Sequence, residues 1–326
     1  MKERIIAKVK INKGKIIQIS CIFFINLFLL LTISEFSSSN FMFEIVTSFL
    51  PYTFALGLIF FLTSLIYFLI KKPKLTKLSL LVIISTLIFL TSAGYKIINF
   101  AYIPNIENVQ SGTELKLAFF NMQFQNTNYM EISNEIKKLD PDILGIAELT
   151  PERVGKISAL NDYPYVVSAS NFESKDVAIF SKYKLTHNTS LDSDTNYFIS
   201  AKTLIEDKEY NIVVAHPLPP TDQYLLNLGD IVLKKIDDRF KDPNTIILGD
   251  FNLTPWSERY TDFTSNFSNL VDTSKGKGLN FTWGDFPLYL HVDHIWVPNG
   301  TQIKEYGVKD KMMSDHNLIF SRVIIF

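Results

Sequence analysis

The chain has one cysteine, Cys21, among 326 residues, so no disulfide can form within it and no cysteine-based zinc site can be built. Cys21 lies in an apolar run, where a lone thiol behaves as a small hydrophobe and says nothing of compartment. Charge is missing from three stretches, 16–33, 49–70 and 78–95, of 18, 22 and 18 residues. They show no amphipathic stripe, which sets them apart from ordinary core helices, and they approach the ~20 residues that cross a bilayer core. Lys and Arg are missing from 34–47. By contrast Lys2, Arg4, Lys8, Lys10, Lys13 and Lys15 precede the first stretch, and Lys71, Lys72, Lys74 and Lys77 follow the second. This asymmetry predicts a multi-pass anchor in the cytoplasmic membrane, with the N-terminus and 71–77 inside, 34–47 outside and the remainder of the chain extracytoplasmic. Lys96, just past the third stretch, is the one contrary residue. A cleaved signal peptide is the other reading of the first stretch. The SEFSSSN that follows is a poor small-residue cleavage site, so a retained helix is expected. Internal repeats and low-complexity tracts are also missing.

What is present is unevenly spread. Hydrophobic residues make up 47% of the chain and Phe alone numbers 27, yet residues 111–326 carry charge throughout. Of the 32 Lys+Arg, 11 lie in residues 1–110 beside 4 of the 33 Asp+Glu, a local charge of +7; the remaining 21 and 29 give −8. The expected organisation is a membrane anchor over 1–102, a linker over 103–112 and a catalytic domain over 113–326. An acidic domain is a poor match for long duplex nucleic acid, whose binding depends on cations neutralising phosphates.

Strand-like runs follow one another through that domain: LKLAFFN (115–121), ILGIAE (143–148), DVAIF (176–180), YFISAKTLI (197–205), YNIVVAH (210–216), TIILGD (245–250), FTW (281–283), LHVDHIWV (290–297) and HNLIFSRVII (316–325). Helical periodicity marks 129–139, through Ile132, Ile136 and Leu139, and 224–240, through Leu225, Leu228, Val232 and Ile236. Many strands with few helices between them predict an α/β or α+β sandwich. Several strands end on a polar residue, Asn121, Glu148, His216 and Asp250, where a rigid sheet leaves side chains open to a ligand.

Each polar piece alone reads blandly. GDFN (249–252) could be a turn, Glu148 a solvated helix start, and SDH (314–316) a strand entry. Asp293 inside VDHIWV is the odd one, since a carboxylate seldom sits among apolar side chains. Taken in order, however, Asn121, Glu148, His216, Asp250-x-Asn252, Asp293-His294 and Asp315-His316 form a series at strand edges. All but one of the five His lie in these pieces or beside one. The series resembles the endonuclease/exonuclease/phosphatase superfamily, across about 115–325. LGDFNLTPWS, FTWGDFPLYLHVDHIWV, SDHNLI and VVAHPLPP are similar to its bacterial membrane-bound branch, in which glycopeptide-resistance membrane phosphoesterases share a three-span layout.

The resemblance implies a four-layer α-β-β-α (DNase I-like) sandwich preceded by three transmembrane helices, and a metal-dependent hydrolase acting on phosphate esters. It implies Mg²⁺ or Mn²⁺ at Glu148, with Asn121 and Asp315 on the metal side. Asp250 would position or deprotonate water, Asn252 orient it, and His216 stabilise charge on phosphorus. His316 would contact phosphoryl oxygens or act as base, with Asp293 behind it. Gln123 stands where many nucleases of the superfamily carry an acid, which removes one possible ligand for a second metal. No basic or aromatic insertion marks a DNA-clasping loop. Expected partners are the lipid bilayer and a phosphorylated substrate, with a lipid-linked (undecaprenyl-type) phosphate among the candidates. A tethered endonuclease or exonuclease is the alternative, and a non-catalytic binding module the third. Sequons at Asn188, Asn252, Asn266 and Asn280 are attributed to chance, since one overlaps a proposed site residue.

Overall fold

The computed structural model describes residues 13–34, 40–72, 74–105, 111–168, 177–187 and 197–326. Three long helices occupy the apolar stretches: α1 (Lys13–Ser34), α3 (Leu50–Lys71) and α4 (Lys77–Ala101), with a short α2 (Phe41–Ser48) between the first two. Of these, α3 and α4 are long and apolar enough to cross a membrane. In α1 the apolar helix among the described residues is the shorter Ile22–Ser34, so two helices rather than three pass that test. Pro51 in the first turn of α3 has no N–H to lose there, and Thr76 caps α4 by accepting from Ser79 N. The helices pack through aromatic rings: Phe24 stacks on Phe60 at 4.3 Å, and Phe28 lies 5.6 Å from Phe89. Gly57 permits the close approach of α3 to α4, since a Cβ there would stand 3.1 Å from the Phe89 ring.

The remaining chain forms two sheets of six described strands. The first runs β13 (Gln302–Val308), β14 (Ile319–Ile325), β1 (Thr113–Asn121), β2 (Ile143–Ala147), β4 (Val177–Ser181), β3 (Tyr165–Ser168). The second runs β5 (Leu185–His187), β6 (Phe198–Ile205), β7 (Lys208–Ala215), β8 (Thr245–Asp250), β12 (Asp293–Pro298), β9 (Leu270–Asp272). A separate hairpin joins β10 (Trp283–Asp285) to β11 (Leu288–Leu290). Strand side chains alternate between faces, so each central strand feeds two cores. Leu115, Leu117 and Phe119 of β1 meet Ile212, Val214, Ile246, Leu248 and Ile295 between the sheets. Ala118 and Phe120 face outward under α5 (Tyr129–Leu139), where Ile132 and Ile136 cover them. The outer face of the second sheet is covered by α7 (Gln223–Arg239) and α8 (Glu258–Asn266). α6 (Pro151–Val154) is a single turn beside the first sheet.

The architecture is therefore the expected α/β sandwich, with differences of detail. The strand expected at 281–283 begins at Trp283 instead, and the run 290–297 is divided by a break before Asp293, which frees that residue to begin a strand. β3, β5, β9, β13 and α8 lie outside the periodic runs, being short or of mixed polarity. The third apolar helix extends past Tyr95 to Ala101, and its last turn enters the second sheet's outer core: Phe89, Ala93, Ile97 and Phe100 form one cluster with Trp256, Tyr260, Phe263 and Trp296. Lys96, the contrary charge, donates to the Trp256 carbonyl at 3.4 Å. The expected linker at 103–112 is attached where it is described, Asn105 donating to the Asp272 carbonyl at 3.0 Å; its residues 106–110 lie outside the described residues. So do Lys2, Arg4, Lys8, Lys10 and Asn188.

Candidate active site

Strand parity decides which polar residues meet. Asn121 continues the series Leu117 and Phe119, Asp250 continues Ile246 and Leu248, and His216 continues Ile212 and Val214, all facing the space between the sheets. Asp293 begins the same series that Ile295 and Val297 continue. Four strands thus deliver their polar ends to one mouth of the sandwich, although their sequence positions span 172 residues from Asn121 to Asp293.

One amide ties two carboxylates there. Asn121 Nδ2 donates to Glu148 Oε1 at 3.2 Å and to Asp250 Oδ2 at 3.1 Å. Glu148 leaves β2 with φ +58°, a left-handed conformation uncommon outside glycine, and its Oε2 accepts from Phe124 N at 2.7 Å. Gln123 and Asn252 adopt the same region, at φ +59° and +51°. Their backbone N–H groups donate to Asn121 Oδ1 (3.1 Å) and Asp250 Oδ1 (3.0 Å), so each tight turn clasps a site side chain. Asn252 Nδ2 reaches the Pro217 carbonyl at 3.0 Å and binds the loop after β7, and His216 Nε2 lies 3.4 Å from Asp250 Oδ2.

The other half is a histidine between two acids. His316 Nδ1 lies 2.9 and 3.1 Å from the two oxygens of Asp293, and its Nε2 lies 3.4 Å from Asp250 Oδ2. Nδ1 donates to the carboxylate, which fixes the ring and turns Nε2 to the opening. Asp315 stands apart from this chain of bonds; its Oδ2 accepts from Trp283 Nε1 at 3.1 Å. The seven other expected residues, Asn121, Glu148, His216, Asp250, Asn252, Asp293 and His316, form one connected network.

Burial shapes the charge. Asp250 and His316 are nearly fully buried, and Asp250 and Asp293 are direct register partners of antiparallel β8 and β12. Like charges so placed repel. Burial, together with the Asp293 charge, raises the Asp250 carboxyl well above the ordinary range, against the pull of His316. Burial alone would lower the His316 imidazole; Asp293 and then Asp250 outweigh it and lift it, so the ring is held as a cation. Three carboxyl groups and an amide thus gather at this mouth with one imidazole, and the oxygen-rich edge fits a hard divalent cation, which prefers carboxylate and carbonyl oxygen. Asp250, Asp293 and His316 also offer ligand atoms within 4.8 Å of one another. His316 commits Nδ1 to Asp293, which leaves Nε2 as its atom facing the opening.

Sequence reasoning missed the residues that hold this set in place. Thr282 Oγ1 accepts from both Val292 N and Asp293 N at 3.0 Å. Ser314 Oγ donates to the Asn121 carbonyl at 2.7 Å and accepts from His316 N at 3.0 Å. Both lie inside motifs, FTW and SDH, but small hydroxyls carry no signal of their own. Also missed was a second buried aspartate–histidine pair on the opposite face of β12. His294 Nδ1 lies 2.8 Å from Asp272 Oδ2 and its Nε2 2.9 Å from the Leu253 carbonyl. A cavity of about 500 Å³ on that face, lined by Lys96, Phe100, Tyr260, Phe267 and Lys275 among others, contains none of the residues around His316.

Two sheets face to face with helices outside, and acids, amides and histidines at one mouth, define a DNase I-like phosphoester hydrolase. The Endonuclease/Exonuclease/phosphatase family profile matches residues 118–316, well over half of the chain, and the chain belongs to that family. Its members are metal-dependent enzymes acting on phosphate ester bonds, which sets aside the binding-module alternative. Solved structures of similar fold include the 3′ phosphatase NExo from Neisseria bound to a product DNA hairpin, at 19% identity and TM-score 0.50, over 64% of this chain and 98% of that one. Another is TDP2 from D. rerio with a single-strand DNA product, at 14% identity and TM-score 0.53, over 65% and 100%. A third is an endonuclease/exonuclease/phosphatase family protein from Bacteroides thetaiotaomicron, at 18% and 0.53, over 67% and 100%. Among curated proteins none matches the sequence.

Proposed function

We propose that this protein is a phosphoesterase held in the cytoplasmic membrane by α1, α3 and α4, with its N-terminus inside and residues 113–326 outside, and that it hydrolyses a phosphoester or pyrophosphate carried by an undecaprenyl-type lipid. The observation that carries this reading is the join between helix and site. Tyr52, in the first turn of α3, donates to the Tyr289 carbonyl at 3.1 Å and accepts from Tyr289 N at 2.7 Å. The β10–β11 hairpin that contains Tyr289 continues to the catalytic loop, Gly284 N donating to the Asp315 carbonyl at 2.9 Å. A site so placed lies near the level of the helix ends, where a lipid-borne phosphate would arrive by lateral diffusion. Only 6% of the most apolar window of α3 is buried, and Leu56, Ile59, Leu62 and Ile66 are exposed, as a lipid-facing helix requires. The basic residues at 71–77 support the orientation.

In this reading Glu148, with Asn121 bonded to it and Asp315 as the further proposed ligand, would hold Mg²⁺ or Mn²⁺, and the ion would supply Lewis acidity toward the phosphoryl oxygens. Asp250 orients the attacking water and takes its proton, and Asn252 aligns it. His316, charged and fixed by Asp293, donates from Nε2 to a phosphoryl oxygen, and His216 donates to the charge that develops there. A tethered nuclease is the second reading, favoured by the DNA products in the NExo and TDP2 structures and opposed by the domain's −8 charge.

The test uses the detergent-solubilised chain beside an Asp250→Asn/His316→Ala double variant. Both are assayed with Mg²⁺, Mn²⁺ or EDTA against undecaprenyl pyrophosphate, bis-p-nitrophenyl phosphate and single-stranded DNA. Metal-dependent phosphate release from the lipid, lost in the variant, is the expected result. DNA cleavage without lipid turnover would sink the lipid substrate and establish the nuclease.

A further inference from the structure

The last turn of α4 ends against the far side of the strand that carries Asp293. Phe100 is buried and meets three rings edge-on: His291 at 5.5 Å, Tyr260 at 5.8 Å and Trp256 at 6.3 Å. His291 stacks on His294 at 4.8 Å, and His294 stacks on Trp296 at 4.7 Å. The two nitrogens of His294 meet the Asp272 carboxylate and the Leu253 carbonyl, and the two contacts hold the ring in one orientation. Asp272 is itself fixed, accepting from Tyr260 Oη at 2.8 Å, Ser274 N at 2.9 Å and Ser274 Oγ at 2.5 Å. The loop after it is clamped to the helix end. Gly276 N donates to the Phe100 carbonyl at 2.7 Å and Gly278 N to the Ala101 carbonyl at 2.8 Å. The approach is so close that a Cβ on Gly276, whose φ is +79°, would stand 2.4 Å from Pro104 Cα.

His294 is the residue next to Asp293, on the opposite face of β12. Its pinned ring sets the rotation of the strand there. Thr282 holds the backbone N–H of Asp293 near the mouth, and Asp293 in turn holds His316. We infer that the outer turn of α4 belongs to the catalytic apparatus. Phe100 is a positioning residue that, through the His291–His294–Asp272 stack, fixes Asp293 and so aims His316. The inference rests on the assignment of His316 and Asp293 to the reacting site. It goes further in making a helix of the anchor part of the enzyme's geometry and not a tether alone. Shifts of about 1 Å at such a distance are enough to change rates by about a hundredfold.

The experiment uses full-length protein in detergent. Phe100→Ala, Phe100→Leu and, as a control of equal depth within the helix bundle, Phe89→Leu are compared with wild type on bis-p-nitrophenyl phosphate. Phe100→Ala is expected to lower kcat by about 10-fold or more with KM within about twofold, the range seen for outer partners of site ligands. Phe100→Leu recovers most of the loss, and Phe89→Leu lowers Tm without changing kcat. A second readout is independent of turnover: the downfield imidazole proton of His316, bonded to Asp293, shifts in the ¹H–¹⁵N spectrum of Phe100→Ala and not in that of Phe89→Leu. Unchanged kcat and an unchanged His316 resonance in Phe100→Ala would overturn the inference. So would an equal loss in Phe89→Leu. A wild-type chain inert toward every phosphoester, with the resonance still shifting in Phe100→Ala, would sink the functional reading and leave the positioning intact.

Discussion

Strand β12 carries an aspartate–histidine pair on each face, and the two differ in what the second ring nitrogen meets. His316 and Asp293 are joined at 2.9 Å, His294 and Asp272 at 2.8 Å, and all four side chains are buried. His294 turns its Nε2 to a backbone carbonyl and is closed on every side. The Nε2 of His316 points to the mouth of the sandwich, where it meets another acid, Asp250, at 3.4 Å. The chemistry of a pair is the same in both; whether it is structure or site depends on whether one nitrogen remains available to a substrate. The same distinction explains the neighbours. The His294–Asp272 pair is surrounded by donors to the carboxylate, Tyr260 and Ser274 both donating to Asp272. The His316–Asp293 pair is surrounded by further acids and amides, Asp250, Glu148 and Asn121.

Breaking each pair should therefore have different consequences. The largest effect is expected from His316→Ala, which lowers kcat by about a thousandfold while substrate binding changes far less, measured as phosphate release at saturating substrate. Asp293→Asn keeps the shape but loses control of the tautomer, and a fall of about a hundredfold in kcat is expected. Removing the proposed metal ligand with Glu148→Gln should raise the Mg²⁺ concentration for half-maximal activity by at least about tenfold, read from a metal titration; an unchanged titration would move the metal elsewhere.

On the helix-covered face, at Asp272 and His294, the expected loss is of stability. Asp272→Asn removes the carboxylate that the buried His294, Tyr260 and Ser274 all contact, at a cost of about 3 kcal/mol, visible as a lower Tm at neutral pH. Burial would raise the Asp272 carboxyl, but His294 and its other donors outweigh it and hold it at about 2. A depressed carboxyl contributes stability above its ordinary pKa and loses it as pH falls through the folded value. The gap between wild type and Asp272→Asn should therefore be full above about pH 4 and close toward pH 2. Glu44 sharpens the contrast with opposite sign. It is buried on α2, Arg259 Nη1 is 3.8 Å away, and burial pushes its carboxyl up to about 7 against the pull of Arg259. Its folded state prefers the proton, so its contribution falls as pH rises from about 4.5 through 7. Glu44→Gln should match wild type near pH 4.5 and exceed it above pH 7 by on the order of 1–3 kcal/mol, in thermal melts of the full chain. Equal melts across that range would show that the carboxylate is compensated.

Much of this site could be read from the chain because strand ends leave a sequence trace. A run of apolar residues stopping at Asn121, His216 or Asp250 gives both the strand and the face, since alternation carries the last residue onto the same side as its apolar predecessors. Asp293 was legible for the opposite reason, as a carboxylate embedded in an apolar strand. Thr282, Ser314 and Trp283 were not, because their roles depend on a neighbour brought from another element: Thr282 on Asp293, Ser314 on Asn121 and Trp283 on Asp315. His294 was visible only as the residue after Asp293, since nothing local says that Asp272, 22 positions earlier, lies beneath it.

The apolar helices show the same limit at larger scale. Length without charge determined α3 and α4, and the order of polar strand ends determined the family and the mouth of the sandwich, because both are periodic, local properties of a chain. What only the tertiary structure decided is where those helices end. The last turn of α4 follows the uncharged stretch 78–95 within the expected anchor, yet Phe100 and Ala101 are buried against the second sheet and bonded to the loop behind Asp293. Burial of that turn is a property of two surfaces that fit, and such a fit is distributed over Trp256, Tyr260, Gly276 and His291, which no single stretch of sequence holds together.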